Sequence, residues 1–159
     1  MPPVASQTAV AEVMNDAFQV APGFQLERVY QVPSSQGSWV SVTLDGGGNL
    51  LCADQRGEIY QVRVSSEVDG ITVVEPLGLP LKGTHGLLWH KGVLWVSANE
   101  GPTEGGVWRV TDRNGDGVPD TPELVKAING HGEHGPHSLV AAPDGNSIYI
   151  IAGNHTDLP

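Results

Sequence analysis

The chain is short of cysteine, of basic residues and of long apolar runs, and each shortage closes off a class of function. Cys52 is the only cysteine in 159 residues. No internal disulfide, no cysteine-built zinc site and no c-type haem attachment motif can form within this chain. Lysine and arginine number 8 against 18 acidic residues, for a formal net charge of −10. A surface of that sign repels phosphate, and no Lys/Arg cluster interrupts it, which argues against a nucleic-acid partner. No apolar run approaches the ~18–20 residues that a spanning helix needs. The first basic residue is Arg28, so the start lacks the basic and apolar blocks of a secretory signal. The chain is therefore expected either to be cytoplasmic or to have lost its true start.

What is abundant is turn chemistry. Glycine numbers 21 and proline 12, while charged residues make up only 16% of the chain. That balance suits an all-β, turn-rich domain better than a helical one. Residues 1–17 are small and polar, with a weak helical pattern over 9–17, and read as a poorly ordered leader. From Phe18 onward the period is two, with Phe24, Leu26, Tyr30 and Val32 on one face. Strands are predicted over 40–44, 50–53, 59–64 and 71–74. The first two are divided by Asp45-Gly46-Gly47-Gly48-Asn49, whose residues tolerate positive φ. The pattern repeats over 85–89, 93–98, 107–110 and 124–128. It begins a third time over 137–142 and 148–152, around Pro143-Asp144-Gly145-Asn146.

Leu50, Leu94 and Ile148 occupy equivalent places in the second strand of each unit. Repeats of about 40–50 residues with four short strands are the signature of propeller blades. A β-sandwich with similar turn spacing is the alternative, but its strands need not repeat a phrase in order. The expectation is a partial β-propeller, with residues 18–159 supplying two full blades and part of a third. Trp89, Trp95, Trp108 and Tyr149 are expected on faces between blades. A ring needs at least about four blades, so the chain reads as a fragment with no independent catalysis.

Two segments carry candidate chemistry. Residues 112–123 match the calcium-loop pattern D-x-N-x-D-G-x5-E. In such a loop Asp112, Asn114 and Asp116 offer side-chain oxygens, Gly117 permits the turn and Val118 offers its carbonyl. Asp120 acts through water, and Glu123 clamps with both oxygens. Because the loop follows a predicted strand and contains two prolines, a structural calcium between strands is expected, not an EF-hand. An acidic solvated turn is the alternative. The second segment, residues 131–137, packs His131, Glu133, His134 and His137 together, with His85 and His155 elsewhere in the repeats. A zinc site, a general base and simple hydrogen-bonded capping all remain open.

Residues 134–154 read H-G-P-H-S-L-V-A-A-P-D-G-N-S-I-Y-I-I-A-G-N. This segment resembles the glucose/sorbosone dehydrogenase family of six-bladed propellers, which use pyrroloquinoline quinone (PQQ) and calcium. It is similar above all to the propeller domain of large secreted proteins of planctomycete-type bacteria. There the propeller precedes helical repeats and a cytochrome-type domain. The resemblance spans about residues 18–157 and includes Pro22-Gly23-Phe24, Gly37-Ser38-Trp39-Val40-Ser41 and Asp54-Gln55-Arg56-Gly57. It implies His134 as the base that takes a proton from a sugar hydroxyl while hydride passes to the quinone, with Glu133 beside it. It implies His85, Asn154 and His155 as cofactor-facing residues, although imidazoles stand at 85 and 155 where amides are usual. It also implies a sugar-like substrate and a periplasmic or extracellular parent protein. The alternative is a non-catalytic, calcium-stabilised module that binds carbohydrate or protein.

Overall fold

In a computed structural model, residues 7–10, 12–13, 18–66 and 71–157 are described, and they hold no α-helix. Two short strands lie in the leader, β1 (Gln7–Val10) and β2 (Glu12–Val13), where the sequence pattern had looked helical. The rest of the leader lies outside the described residues. Strand β3 is Glu27–Arg28 and pairs with β2. The period-two stretch before it does not become a long strand, and Phe24 is exposed.

The predicted repeat is present. Unit one is the antiparallel meander β4 (Trp39–Leu44), β5 (Leu50–Asp54), β6 (Ile59–Arg63) and β7 (Ile71–Pro76), with β1 added outside β7. Unit two is β8 (Lys82–His90), β9 (Val93–Glu100), β10 (Gly106–Thr111) and β11 (Thr121–Ala127). Unit three is the hairpin β12 (Pro136–Ala141) and β13 (Ile148–Ala152). All these pairings are antiparallel, and among the described residues no sheet closes on itself.

The register makes the units comparable residue by residue. Leu44 faces Leu50, Trp89 faces Leu94, and Ala141 faces Ile148. Counting back from those pairs, the first strand of every unit is bulged at one place. The break falls between Trp39 and Ser41, between Thr84 and Gly86, and between Pro136 and Leu139. Val40, His85 and His137 occupy the bulge. An extra residue there re-aims its side chain and tightens the twist.

Consecutive units pack face to face. One face of unit one supplies Leu51, Ala53 and Ile59; unit two answers with Leu87, Leu94, Val96, Trp108 and Val110. This is the main core, and Trp89 and Trp108 lie in it as expected for faces between units. The opposite face of unit one is covered on its outer part, where Tyr30, Trp39 and Tyr60 stack with ring centroids 5.6 and 5.3 Å apart.

The first strand of unit two pairs with β9 along one edge only. On its other edge the N–H of Leu87 donates to Ser41 Oγ at 3.0 Å, and that of Trp89 to Thr43 Oγ1 at 3.1 Å. Two hydroxyls of β4 thus satisfy an edge that would otherwise be buried unpaired. At the next junction the backbones come closer still. A Cβ on Gly86 would fall 2.1 Å from the His137 carbonyl oxygen, so only glycine fits. Along this junction lies an apolar cleft of about 490 Å³, bordered by Trp95, Val107, Leu139 and Ile150.

The turn at 45–49 is organised by Asp45. Its Oδ1 accepts from the N–H groups of Gly47 and Asn49, and its Oδ2 from the side chains of Asn49 and Gln61. Burial pushes its pKa up, but these bonds prevail and hold it below the usual value.

Replacing Ser41 with Ala, or Thr43 with Val, strands one N–H of β8 at the first junction. Each change is expected to cost about 1–3 kcal/mol in urea unfolding. Midpoints unchanged by both substitutions together would show that water satisfies this edge.

Candidate functional site

The alternation of strands sorts the loops onto two ends. The turns at 45–49, 91–92 and 143–147 lie at one end, together with the connection between β10 and β11. The starts of β8 and β12 and the ends of β9 and β13 lie at the other, where the histidines gather. The calcium-type loop and the histidine segment are therefore at opposite ends of the array.

At the histidine end the two bulges bring His85 and His137 together, with ring centroids 4.8 Å apart. His85 is buried. Burial lowers its pKa, the neighbouring His137 lowers it further, and Glu133 opposes both. Its imidazole is thus held neutral and able to accept a proton near neutral pH. His137 Nε2 meets the Glu133 carbonyl oxygen.

A second group stands beside this pair. His131 stacks on His155 at 4.9 Å, and His134 meets the same ring edge-on at 5.1 Å. Backbone bonds zip the two loops that carry them. His131 N–H donates to the His155 carbonyl at 3.1 Å, and His155 N–H to the His134 carbonyl at 2.9 Å. Asp157 N–H donates to Asn129 at 2.9 Å.

Between these groups and the β5–β6 turn lies a polar cleft of about 260 Å³. Its lining includes Gln55, Arg56, His85, Asn99, Glu100 and His131. Asn99 Nδ2 donates to the Gly132 carbonyl at 2.9 Å, while its Oδ1 is buried with no donor among the described residues.

The residues expected from the sequence are only partly assembled here. His85 lines the cleft. His134 and Glu133 lie in a 3₁₀ turn, Gly132–His134, and are exposed. Asn154 is exposed beside His155. Gln55, Arg56, Asn99 and Glu100 were not singled out as site residues, nor was His137 given a role. Aligning the first strands of the repeats, rather than the second, would have placed His85 and His137 in register and pointed to the pair.

The calcium-type loop is a run of side-chain-closed turns. Asp112 accepts from the N–H groups of Gly115 and Gly117 at 2.7 Å each. Asn114 accepts from Asp116 N–H at 2.9 Å, and Asp116 from Val118 N–H at 2.8 Å. Bonds from the Thr121 hydroxyl and the Arg113 N–H hold Asp120 below the usual carboxylate range. Glu123 is not gathered in. It sits on β11 opposite Arg109 and pairs with that guanidinium at 2.5 Å. Among the described residues, no three His, Cys, Asp or Glu side chains come together as a ready metal site.

A quinone tricarboxylate calls for several cations. The cleft offers one permanently charged group, Arg56, with Glu100 on its rim and Glu133 close enough to bias His85. These residues do not by themselves fit PQQ.

The depressed pKa of His85 has a sign. A base protonated less readily when folded costs stability as pH falls below its unfolded value near 6.5. Stability is full above that value and declines below it until the folded form also takes its proton. Urea midpoints between about pH 5 and 7.5 are expected to fall on the acid side, and His85→Asn should shrink that fall. An identical pH profile for the variant would count against the burial argument. No protein-family model, curated protein or solved structure matches the chain, so its assignment rests on the geometry above.

Proposed function

We propose that the units are blades of a β-propeller and that the histidine end binds a sugar-like, polyhydroxylated ligand. The observation that carries this reading is the cleft itself. Arg56, Gln55, Asn99, Glu100 and His85 border one small space. Planar amide, guanidinium and carboxylate groups suit vicinal hydroxyls, each of which both donates and accepts. The order of the meanders, with β4, β8 and β12 as consecutive first strands, supports the propeller. In this reading the substrate-binding chain belongs to a periplasmic or extracellular parent protein with helical-repeat and cytochrome-type domains.

Oxidation of the sugar is the second reading, and one observation favours it. His85 is neutral beside the cleft, so an imidazole there can take the proton of a bound hydroxyl. The hydride would need an acceptor whose site the cleft does not provide, which makes PQQ-dependent dehydrogenase activity a property of a longer protein.

Calcium belongs to the other end. The motif over residues 112–120 supplies Asp112, Asn114, Asp116, the Val118 carbonyl and Asp120. With Glu123 held by Arg109, the loop closes on five groups unless that ion pair opens. Its role would be to brace the β10–β11 connection.

Binding of mono- and oligosaccharides, measured by calorimetry, is expected to weaken at least about tenfold in Asn99→Ala and His85→Ala. Asp112→Asn should leave it unchanged. Sugar binding equal in all three variants would remove the cleft as the site. Calcium is expected to raise the thermal midpoint by a few degrees, on the order of 4 °C at saturating concentration, and Asp116→Asn should abolish the shift. An unchanged midpoint with calcium would end the metal proposal. Dye reduction by a sugar with added PQQ and full-length protein, lost in His85→Ala but not in His134→Ala, would establish the oxidation reading. The reverse pattern would return the base to His134.

A further inference from the structure

Two Asn-Gly pairs stand in the chain, Asn114-Gly115 and Asn129-Gly130. In such a pair the backbone nitrogen of the glycine can attack the side-chain carbonyl carbon of the asparagine and close a five-membered ring. The step is an intramolecular acyl transfer, and it has the needs of one. A base must take the proton of the attacking nitrogen, and a donor must meet the oxygen on which negative charge develops.

At Asn114 the structure supplies both. The Gly115 N–H donates to Asp112 Oδ1 at 2.7 Å, within the reach required of a general base. Asn114 Oδ1 accepts from Asp116 N–H at 2.9 Å, which polarises the carbonyl and meets the developing oxyanion. Asn114 Nδ2 donates to Asp116 Oδ2 at 3.0 Å and so holds the amide in place. Asn114 and Gly115 are exposed, and a Cβ on Gly115 would meet nothing within 4 Å. Water therefore reaches the pair.

Asn129-Gly130 is the opposite case. The Asn129 side-chain amide bonds to the Asp157 carboxylate, and the Asn129 carbonyl accepts from Asp157 N–H at 2.9 Å. Gly130 is bridged to Thr156 and packs on Pro136, whose Cδ would lie 2.4 Å from an added Cβ. Ring closure there would break a joint between two loops.

We propose that residues 112–116 form a self-modifying site, in which Asn114 loses its amide through a succinimide with Asp112 as the base. The Gly115 nitrogen gives its proton to Asp112 and bonds to Asn114 Cγ. The Cγ–Nδ2 bond then breaks, and the amide nitrogen takes up the proton that Asp112 held and leaves as ammonia. Water opens the ring at either carbonyl, leaving aspartate or isoaspartate at position 114. The step needs no metal and no oxidant. Either product adds a carboxylate between Asp112 and Asp116, and isoaspartate also lengthens the backbone of the loop by one carbon.

The test incubates the whole chain with EDTA near neutral pH at physiological temperature, folded in buffer and, separately, unfolded in guanidinium chloride. Peptide mapping by mass spectrometry, with isoaspartyl methyltransferase labelling, reads both pairs. In the folded chain Asn114 is expected to convert before Asn129, and faster than it does when unfolded. Asp112→Asn keeps an oxygen for the Gly115 N–H but removes the base. Conversion in the folded variant should slow at least about tenfold, with no comparable change in guanidinium chloride. Circular dichroism checks that the variant folds, and the comparison of the two pairs in the unaltered chain stands without it. A folded chain in which Asn114 outlasts Asn129, or converts more slowly than when unfolded, overturns the proposal. A folded Asp112→Asn chain that converts as fast as the parent also overturns it, because the hydrogen bond would then restrain the nitrogen and not activate it.

Discussion

A strand that begins a sheet has one paired edge and one bare one, and the whole array depends on how that bare edge is treated. In unit two the bare edge of β8 is met by two hydroxyls of β4 rather than by another strand. This fixes the distance between sheets at the length of a short side chain and keeps the sheets from merging into one. The bonds place Leu87 and Trp89 in register with unit one, and the apolar face behind them closes on Leu51, Ala53 and Ile59. Apolar area supplies most of the free energy of such a junction. The hydroxyls decide its geometry, because an edge buried without acceptors would forfeit about 1–3 kcal/mol per N–H.

Much of the fold was legible in the sequence. Alternating β-branched and aliphatic residues bounded by Asp-Gly and Lys-Gly turns gave every strand from β4 to β13 to within a few residues. Lys91 takes a positive φ of 53° beside Gly92, as a two-residue hairpin demands. Leu50, Leu94 and Ile148 were correctly aligned across the units. The stretch before β4 was read less well, because alternation there reflects packing of Tyr30 onto Trp39 and not strand pairing.

The site was harder to read. A bulge leaves no mark in composition, so nothing announced that positions 85 and 137 share a place in their repeats. His134 stood out through its place in the family resemblance, and the structure sets it, exposed, in the 3₁₀ turn Gly132–His134. Glu123 fits the calcium pattern by spacing, but β pairing sets it across from Arg109, and a cross-strand ion pair competes for the same carboxylate. Strand register is a long-range property, and no short motif carries it.

The bulge has a consequence for how such an array can change. Its occupants are Val40, His85 and His137, one per unit, at a point where the residue faces no partner across the ladder. A substitution there changes the chemistry of the end at which the histidines gather. The units thus differ in the side chain that each one holds at this place. Unit one holds an aliphatic side chain and units two and three hold imidazoles, so the paired rings of His85 and His137 stand on the side of the later units.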